Sequence, residues 1–166
     1  MHYYDFYGSP HGQMLLVANS DALSGVYFDG QKYLPGIAPQ WRRDARHATL
    51  RQAKRELAEY FGGARKRFEV ALAAEGTPFQ RSVWKVISSV AFGETITYGE
   101  LAHRAGCAGS ARAAGAATGR NPIGIIVPCH RIVGADGSLT GYAGGLDRKR
   151  ALLALESEIP ELLPMV

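Results

Sequence analysis

Cysteine is scarce in this chain: Cys107 and Cys129 are the two among 166 residues. That excludes a disulfide scaffold and a cysteine-rich zinc site, and it fits a reducing, intracellular (cytoplasmic) compartment. Long apolar runs are missing as well, so no membrane span is expected, and the polar, aromatic residues 1–7 do not read as a secretory leader. Residues 1–76 hold no cysteine and only scattered imidazoles such as His11 and His47, so neither a metal nor another cofactor is expected. Acid is lacking in one long stretch. No Asp or Glu falls within residues 101–135, whereas Arg104, Arg112, Arg120 and Arg131 all do. Spaced arginines without opposing carboxylates suit the approach of a polyanion, and a small-residue segment that merely lacks acids is the plainer alternative. The net charge of +4 divides evenly, with ten Lys/Arg against eight Asp/Glu in residues 1–76 and nine against seven beyond, so gross charge marks no face.

What is present falls into two periodicities. Residues 1–7, 14–18 and 23–28 are short β-prone runs separated by Gly8-Ser9-Pro10-His11-Gly12 and Asn19-Ser20-Asp21, the pattern of a small antiparallel meander. Residues 31–46, rich in proline, glycine and arginine, read as a surface loop. Leu50, Ala53, Leu57 and Tyr60/Phe61 then repeat at helical spacing up to Gly62-Gly63, residues 68–72 alternate as if returning to the sheet, and residues 73–76 suit a linker. After it, Thr77-Pro78-Phe79-Gln80 and Thr97-Tyr98-Gly99-Glu100 are both helix-start signatures. The first opens a helix with a core stripe through Phe79, Val83, Val86/Ile87 and Val90. The second opens a short helix ending at Gly106, and another follows from Ser110 to about Thr118, which makes a helix-turn-helix candidate. Its second helix is almost entirely Ala, Gly and Ser around Arg112, which permits close approach to a large smooth partner or close packing in the core. Asp136-Gly137 signals a hairpin, and residues 147–158 a final helix that buries Leu152, Leu153 and Leu155 and leaves Arg148, Lys149 and Arg150 at least partly in solvent. The expected fold class is α/β (α+β). Residues 1–76 form an antiparallel-sheet-plus-helix domain, and residues 77–166 a mostly helical domain with a (winged) helix-turn-helix.

The chemistry concentrates in Ile125-Ile-Val-Pro-Cys-His-Arg-Ile-Val133. A β-branched run predicts a buried strand, and Pro128 breaks it just before Cys129, His130 and Arg131. A thiol beside an imidazole and a guanidinium has the neighbours that ionise a cysteine into a nucleophile. Alone, Cys129 would be read as a small buried hydrophobe. Gly141-Tyr-Ala-Gly-Gly145 lacks the lysine and the strand–loop–helix setting of a phosphate loop, so no nucleotide site is expected.

Taken together, Asn121-Pro122, Pro128-Cys129-His130-Arg131 and Gly141-Tyr142-Ala143-Gly144-Gly145 resemble the O6-alkylguanine-DNA alkyltransferases over residues 77–158, with residues 1–76 compatible with the family's partner domain. The resemblance implies repair of double-stranded DNA by irreversible, stoichiometric transfer of an alkyl group from guanine O6, and more weakly from thymine O4, to Cys129. It implies His130 as base through a water, Glu156 orienting it, Tyr98 moving the 3′ phosphate and protonating the leaving base, and Asn121 holding the bend before the cysteine. Arg112 would replace the extruded base, with Ala113, Gly115, Ala116 and Arg120 along the minor groove. Val127, Pro128, Tyr142, Ala143 and Gly144 would line the base pocket. A monomer is expected, with cooperative assembly on DNA left open, and no metal. Ala143 and Gly124 stand where relatives carry serine and a bulkier residue, which implies a wider pocket. Three rival readings fit the residues less well. A damage binder of the alkyltransferase-like group lacks the cysteine, a helix-turn-helix regulator needs a dimerisation segment, and a cysteine hydrolase needs direct Cys129–His130 pairing, which a regular strand forbids.

Overall fold

A computed structural model describes residues 1–157. They fall into two compact units, Met1–Thr77 with Pro122–Ile126, and Pro78–Asn121 with the chain from Val127 onward.

The first unit is a four-stranded sheet, in the order β3-β2-β1-β4, with one helix. β1 (Tyr3–Ser9), β2 (Gly12–Ala18) and β3 (Leu23–Phe28) form the expected antiparallel meander. The turn before β3 is made by Asn19, whose side-chain oxygen accepts from the N–H groups of Asp21 at 2.8 Å and Ala22 at 2.7 Å. The loop expected over residues 31–46 contains a short strand, β4 (Arg42–Arg43), added in parallel to β1, because the Arg42 and Asp44 N–H groups donate to the His2 and Tyr4 carbonyls. Helix α1 (Ala48–Phe61) buries Leu50, Ala53, Leu57 and Tyr60 as their spacing predicts. Its end is a Schellman turn. Gly63, at φ 80, and Ala64 donate back to Tyr60 and Glu59, a geometry that favours glycine. Residues 68–72 do not rejoin the sheet beyond a single bridge, Leu23 to Leu72. The buried Glu56 carboxylate takes the Glu69 and Val70 N–H groups at 2.8 and 3.1 Å, so those donors are unavailable to a ladder.

The second unit is mostly helical. Helix α2 (Pro78–Ser88) buries Val83, Trp84 and Ile87, and the Trp84 indole N–H donates to the Ala117 carbonyl at 2.8 Å, which ties α2 to α4 (Ala111–Gly119). Helix α3 (Tyr98–Arg104) starts as its sequence demands, with the Thr97 hydroxyl accepting from the Glu100 N–H. It ends in a Schellman turn at Gly106, φ 81, with Gly106 and Cys107 donating to His103 and Ala102. The helix-turn-helix is therefore formed. A two-stranded parallel sheet joins β5 (Ile96–Thr97) to β6 (Ile132–Val133). The hairpin expected at Asp136-Gly137 forms its turn, with Gly134 donating to Ser138 at 2.9 Å and Gly137 at φ 82, but no return strand follows it. The Thr140 and Gly141 carbonyls that such a strand would offer accept instead from the Lys149 ammonium. Helix α5 (Leu146–Glu156) closes the described chain, and the expected end of this helix at Glu158 lies outside the described residues.

Candidate active site

The residues before the cysteine are buried as a strand would be, yet they are not a strand. Ile123, Ile125, Ile126 and Val127 are all in the interior. Ile125 has φ 68, rare for a β-branched residue, and the Ile126 N–H closes a three-residue turn onto Gly124 at 2.7 Å. Pro128, at φ −82 and ψ 64, is the centre of an inverse γ-turn in which the Cys129 N–H donates to Val127 at 2.8 Å. Cys129–Arg131 then forms a single 3₁₀ turn. An apolar run this short reports burial but cannot distinguish a strand from consecutive tight turns. The difference matters chemically, because three residues per turn separates neighbouring side chains by about 120° instead of placing them on opposite faces. Gly124 has a packing reason within the first unit: a Cβ there would come within 3.3 Å of the Val26 carbonyl, so nothing in its placement speaks for a widened pocket.

His130 and Arg131 both point to Glu156. The Arg131 guanidinium donates through Nε to Oε1 at 2.7 Å and through Nη2 to Oε2 at 2.9 Å, and Nη1 donates to the Val90 carbonyl at 2.7 Å. The His130 Nε2 lies 2.7 Å from Oε2. His130 and Glu156 are 0% and 1% exposed. Burial works to raise the Glu156 carboxyl, but the hydrogen bonds and charges of His130 and Arg131 overcome it and hold the group at about 2. The His130 imidazole is pushed down by burial and by the charges of Arg131 and Lys149, against the pull of Glu156, so it is neutral at pH 7. An ionised carboxylate only accepts, so Nε2 carries the hydrogen and Nδ1 keeps its lone pair. Among the described residues Nδ1 has no hydrogen-bond partner. A histidine held this way is a base waiting for a proton.

The thiol of Cys129 is 7% exposed. The Asn121 amide donates to Sγ at 3.2 Å and to the Val127 carbonyl at 2.8 Å, so one side chain braces the γ-turn and favours the thiolate. Burial nevertheless pushes the thiol above its ordinary value, outweighing Asn121 and the charge of Lys149, and the resting sulfur is protonated. The expectation that Arg131 ionises Cys129 is therefore corrected: its guanidinium is committed to Glu156 and Val90. The cation that favours the thiolate is Lys149, expected in solvent but fully buried, its ammonium donating to the Ile132, Thr140 and Gly141 carbonyls at 2.6, 3.0 and 3.1 Å. The signal for it was in the sequence. Lys149, Leu152 and Glu156 fall at i, i+3 and i+7, one helix stripe, and all three are buried. A lysine in that register reads as a surface residue because a lone buried ammonium is rare.

The remaining expected residues are placed around this centre or apart from it. Tyr142 presents its ring edge-on to His130, centroids 6.5 Å apart, and burial followed by the charge of Cys129 puts its phenol well above its ordinary range. Val127, Pro128 and Gly144 are buried and Ala143 half-buried. The Tyr98 hydroxyl donates to the Thr140 carbonyl at 3.3 Å, its ring lies 5.8 Å from the Lys149 ammonium, and burial raises it too. A Cβ at Gly115 would meet the Tyr98 ring at 3.7 Å, so α4 and the start of α3 approach closely. Along α4, Arg112 and Ala116 are exposed and Ala113 and Gly115 half-buried, with Arg120 exposed just past the end. Ala114, Ala117 and Thr118 face the core, so the small-residue helix divides into one packed face and another that is open and low.

Two family models match this chain: the ribonuclease-like domain of 6-O-methylguanine DNA methyltransferase over residues 2–74, and its DNA-binding domain over residues 78–158. The chain is 47% identical over 154 residues to a methylated-DNA–protein-cysteine methyltransferase of Methanosarcina acetivorans, covering 93% of this chain and 97% of that protein. It is 44% identical to the enzyme of that name from Mycolicibacterium paratuberculosis, covering 89% and 88%. The crystal structure of Mycobacterium tuberculosis OGT in complex with DNA superposes with a TM-score of 0.87 at 43% identity, covering 93% of this chain and 92% of that one. On both its units, therefore, this chain belongs to the 6-O-methylguanine DNA methyltransferase family.

Proposed function

We propose that this chain repairs double-stranded DNA by flipping O6-alkylguanine out through the minor groove and taking its alkyl group onto Cys129. The Sγ attacks the alkyl carbon in line, the carbon–O6 bond breaks, and a thioether forms. The thiol proton passes through one water to His130 Nδ1, whose Nε2–H stays on Glu156 and whose positive charge that carboxylate compensates. The departing guanine takes a proton at N3 from the Tyr98 hydroxyl, and His130 returns one to Tyr98, so the charges balance. Because the thioether does not hydrolyse, each molecule acts once. Asn121 positions Sγ, Arg112 fills the gap in the stack, and Ala113, Gly115, Ala116 and Arg120 follow the groove. Val127, Pro128, Tyr142, Ala143 and Gly144 hold the base. Residues 77–166 bind DNA and accept the alkyl group, and residues 1–76 are the structural domain. The protein acts as a monomer in the reducing cytoplasm, consistent with two free cysteines, and takes O4-alkylthymine more slowly.

One observation carries this reading: a neutral histidine with one nitrogen locked to a buried carboxylate and the other unpartnered, on the same turn as a buried thiol. That arrangement delays ionisation until a proton path is complete, which suits a sulfur that must react once and with one partner. Incubation with duplex containing O6-methylguanine should add a single methyl mass, located on the peptide carrying Cys129. Cys129→Ala should abolish it and keep duplex binding. A protein of unchanged mass beside a lesion it binds would sink the reading.

A further inference from the structure

The first unit carries a cationic face that the chemistry at Cys129 does not use. On α1, Ala48, Arg51, Gln52 and Arg55 form one helical stripe and line a surface depression of about 350 Å³. Arg51 and Arg55 are both exposed and stand four residues apart, a like-charge pair that destabilises an isolated helix. Among the described residues no carboxylate forms an ion pair with them. Glu59, at the spacing to pair with Arg55, is held by Arg65 at 2.9 Å. Glu56 is turned inward onto Gln52 and the backbone of Glu69 and Val70. Asp5 is shared by Arg43 and Lys54, one negative charge against two positive ones. Asp44 spends an oxygen on the Arg46 N–H, and the Arg46 side chain is exposed. These four acids are thus committed elsewhere, and two guanidiniums flank an open depression.

We propose that the Arg51/Arg55 stripe is a second DNA-backbone site, taking a phosphate of duplex outside the segment gripped by α4. Charge complementarity selects the partner. Guanidinium pairs grip phosphate oxygens in a fork, and polyphosphate is the anion that a DNA-repair protein meets at high density. The site gives the protein a sequence-independent hold on undamaged duplex while α4 searches. This rests on the reading of the chain as a DNA alkyl acceptor.

The test is the full-length Arg51→Gln/Arg55→Gln double variant, whose glutamines keep the helix propensity. Binding to a long undamaged duplex is measured across salt concentrations, beside transfer to Cys129 from free O6-methylguanine base, which has no phosphate. The expected result is a salt slope smaller by about 1 and an affinity loss of roughly fivefold at physiological salt, since one phosphate contact contributes about 0.9 to the slope. Transfer from the free base and the unfolding midpoint stay at the wild-type values. An unchanged slope overturns the proposal, and so does loss of binding to phosphatidylserine vesicles with duplex binding intact, which would make this a membrane site. A wild-type protein that neither binds duplex nor accepts methyl defeats the underlying reading instead. If the wild type does both and the variant matches it, only the second site is refuted.

Discussion

Each unit buries a carboxylate beside two nitrogen partners, and the two clusters do different things. Asp5 in the first unit is held by Arg43 and Lys54, whose side chains are 61% and 26% exposed. Glu156 in the second is held by His130 and Arg131, at 0% and 8%. Burial opposes ionisation in both, and in both the partners win. Around Asp5 water can replace either partner, so the cluster only pins an edge strand to a helix. Around Glu156 nothing replaces them, so the carboxylate dictates which histidine nitrogen holds the proton. The same ion-pair chemistry holds elements together where solvent reaches it and fixes a tautomer where solvent is shut out.

The sharpest way to break this comparison is to neutralise each carboxylate. Glu156→Gln should cost about 3–5 kcal/mol, because it strands the buried Arg131 charge, and should stop transfer. Asp5→Asn should cost about 1 kcal/mol and leave transfer intact. Denaturant titration and methyl-transfer rates check both. The pH dependence follows from the sign. Glu156 is held below its ordinary value, so its contribution is complete above about 4.5 and drains as pH falls toward about 2. Acid titration of the wild type should show that loss, and Glu156→Gln should lack it.

Lysines give the next contrast. Lys149→Met leaves the Ile132, Thr140 and Gly141 carbonyls unpaired. It should destabilise the fold by about 2–4 kcal/mol and move the pH profile of Cys129 alkylation upward, since the thiolate loses its favourable charge. Lys54→Met, on a partly exposed partner of Asp5, should cost under about 1 kcal/mol and leave that profile in place. An unmoved profile in Lys149→Met would make that ammonium purely a strut. Asparagines give the smallest difference. Asn121→Ala should cost about 1–2 kcal/mol and slow transfer, because it frees Val127 and Sγ together. Asn19→Ala removes two turn bonds at the surface, costs about 1 kcal/mol, and should leave transfer rates unchanged.

Much of this was legible in the chain. The meander, the helix spacing in α1 and α2, the Thr97 cap and the Gly106 stop are local events, and local chemistry announced them. The motif set names Cys129, His130, Glu156, Tyr98, Asn121 and Arg112, and the structure brings Asn121 onto the Cys129 sulfur and His130 onto Glu156. Sequence pattern alone pairs Arg131 with the thiol, leaves Lys149 at least partly in solvent and predicts a strand before Cys129. Each error has one source. Periodicity reports how deeply a residue is buried and says nothing about what it meets there.

The sequence by itself determined which side chains are apolar, where helices start and stop, and that a thiol, an imidazole and a guanidinium stand in a row. The resemblance pairs His130 with Glu156; only the tertiary structure decided that Arg131 shares that carboxylate, 25 residues on, and that the Lys149 ammonium is buried on the Ile132, Thr140 and Gly141 carbonyls. Hydrogen-bond partners are assigned by packing distant segments under exclusion of water. A buried polar group takes whichever partner the fold brings within reach, and leaving it unpaired costs more than almost any local preference can recover.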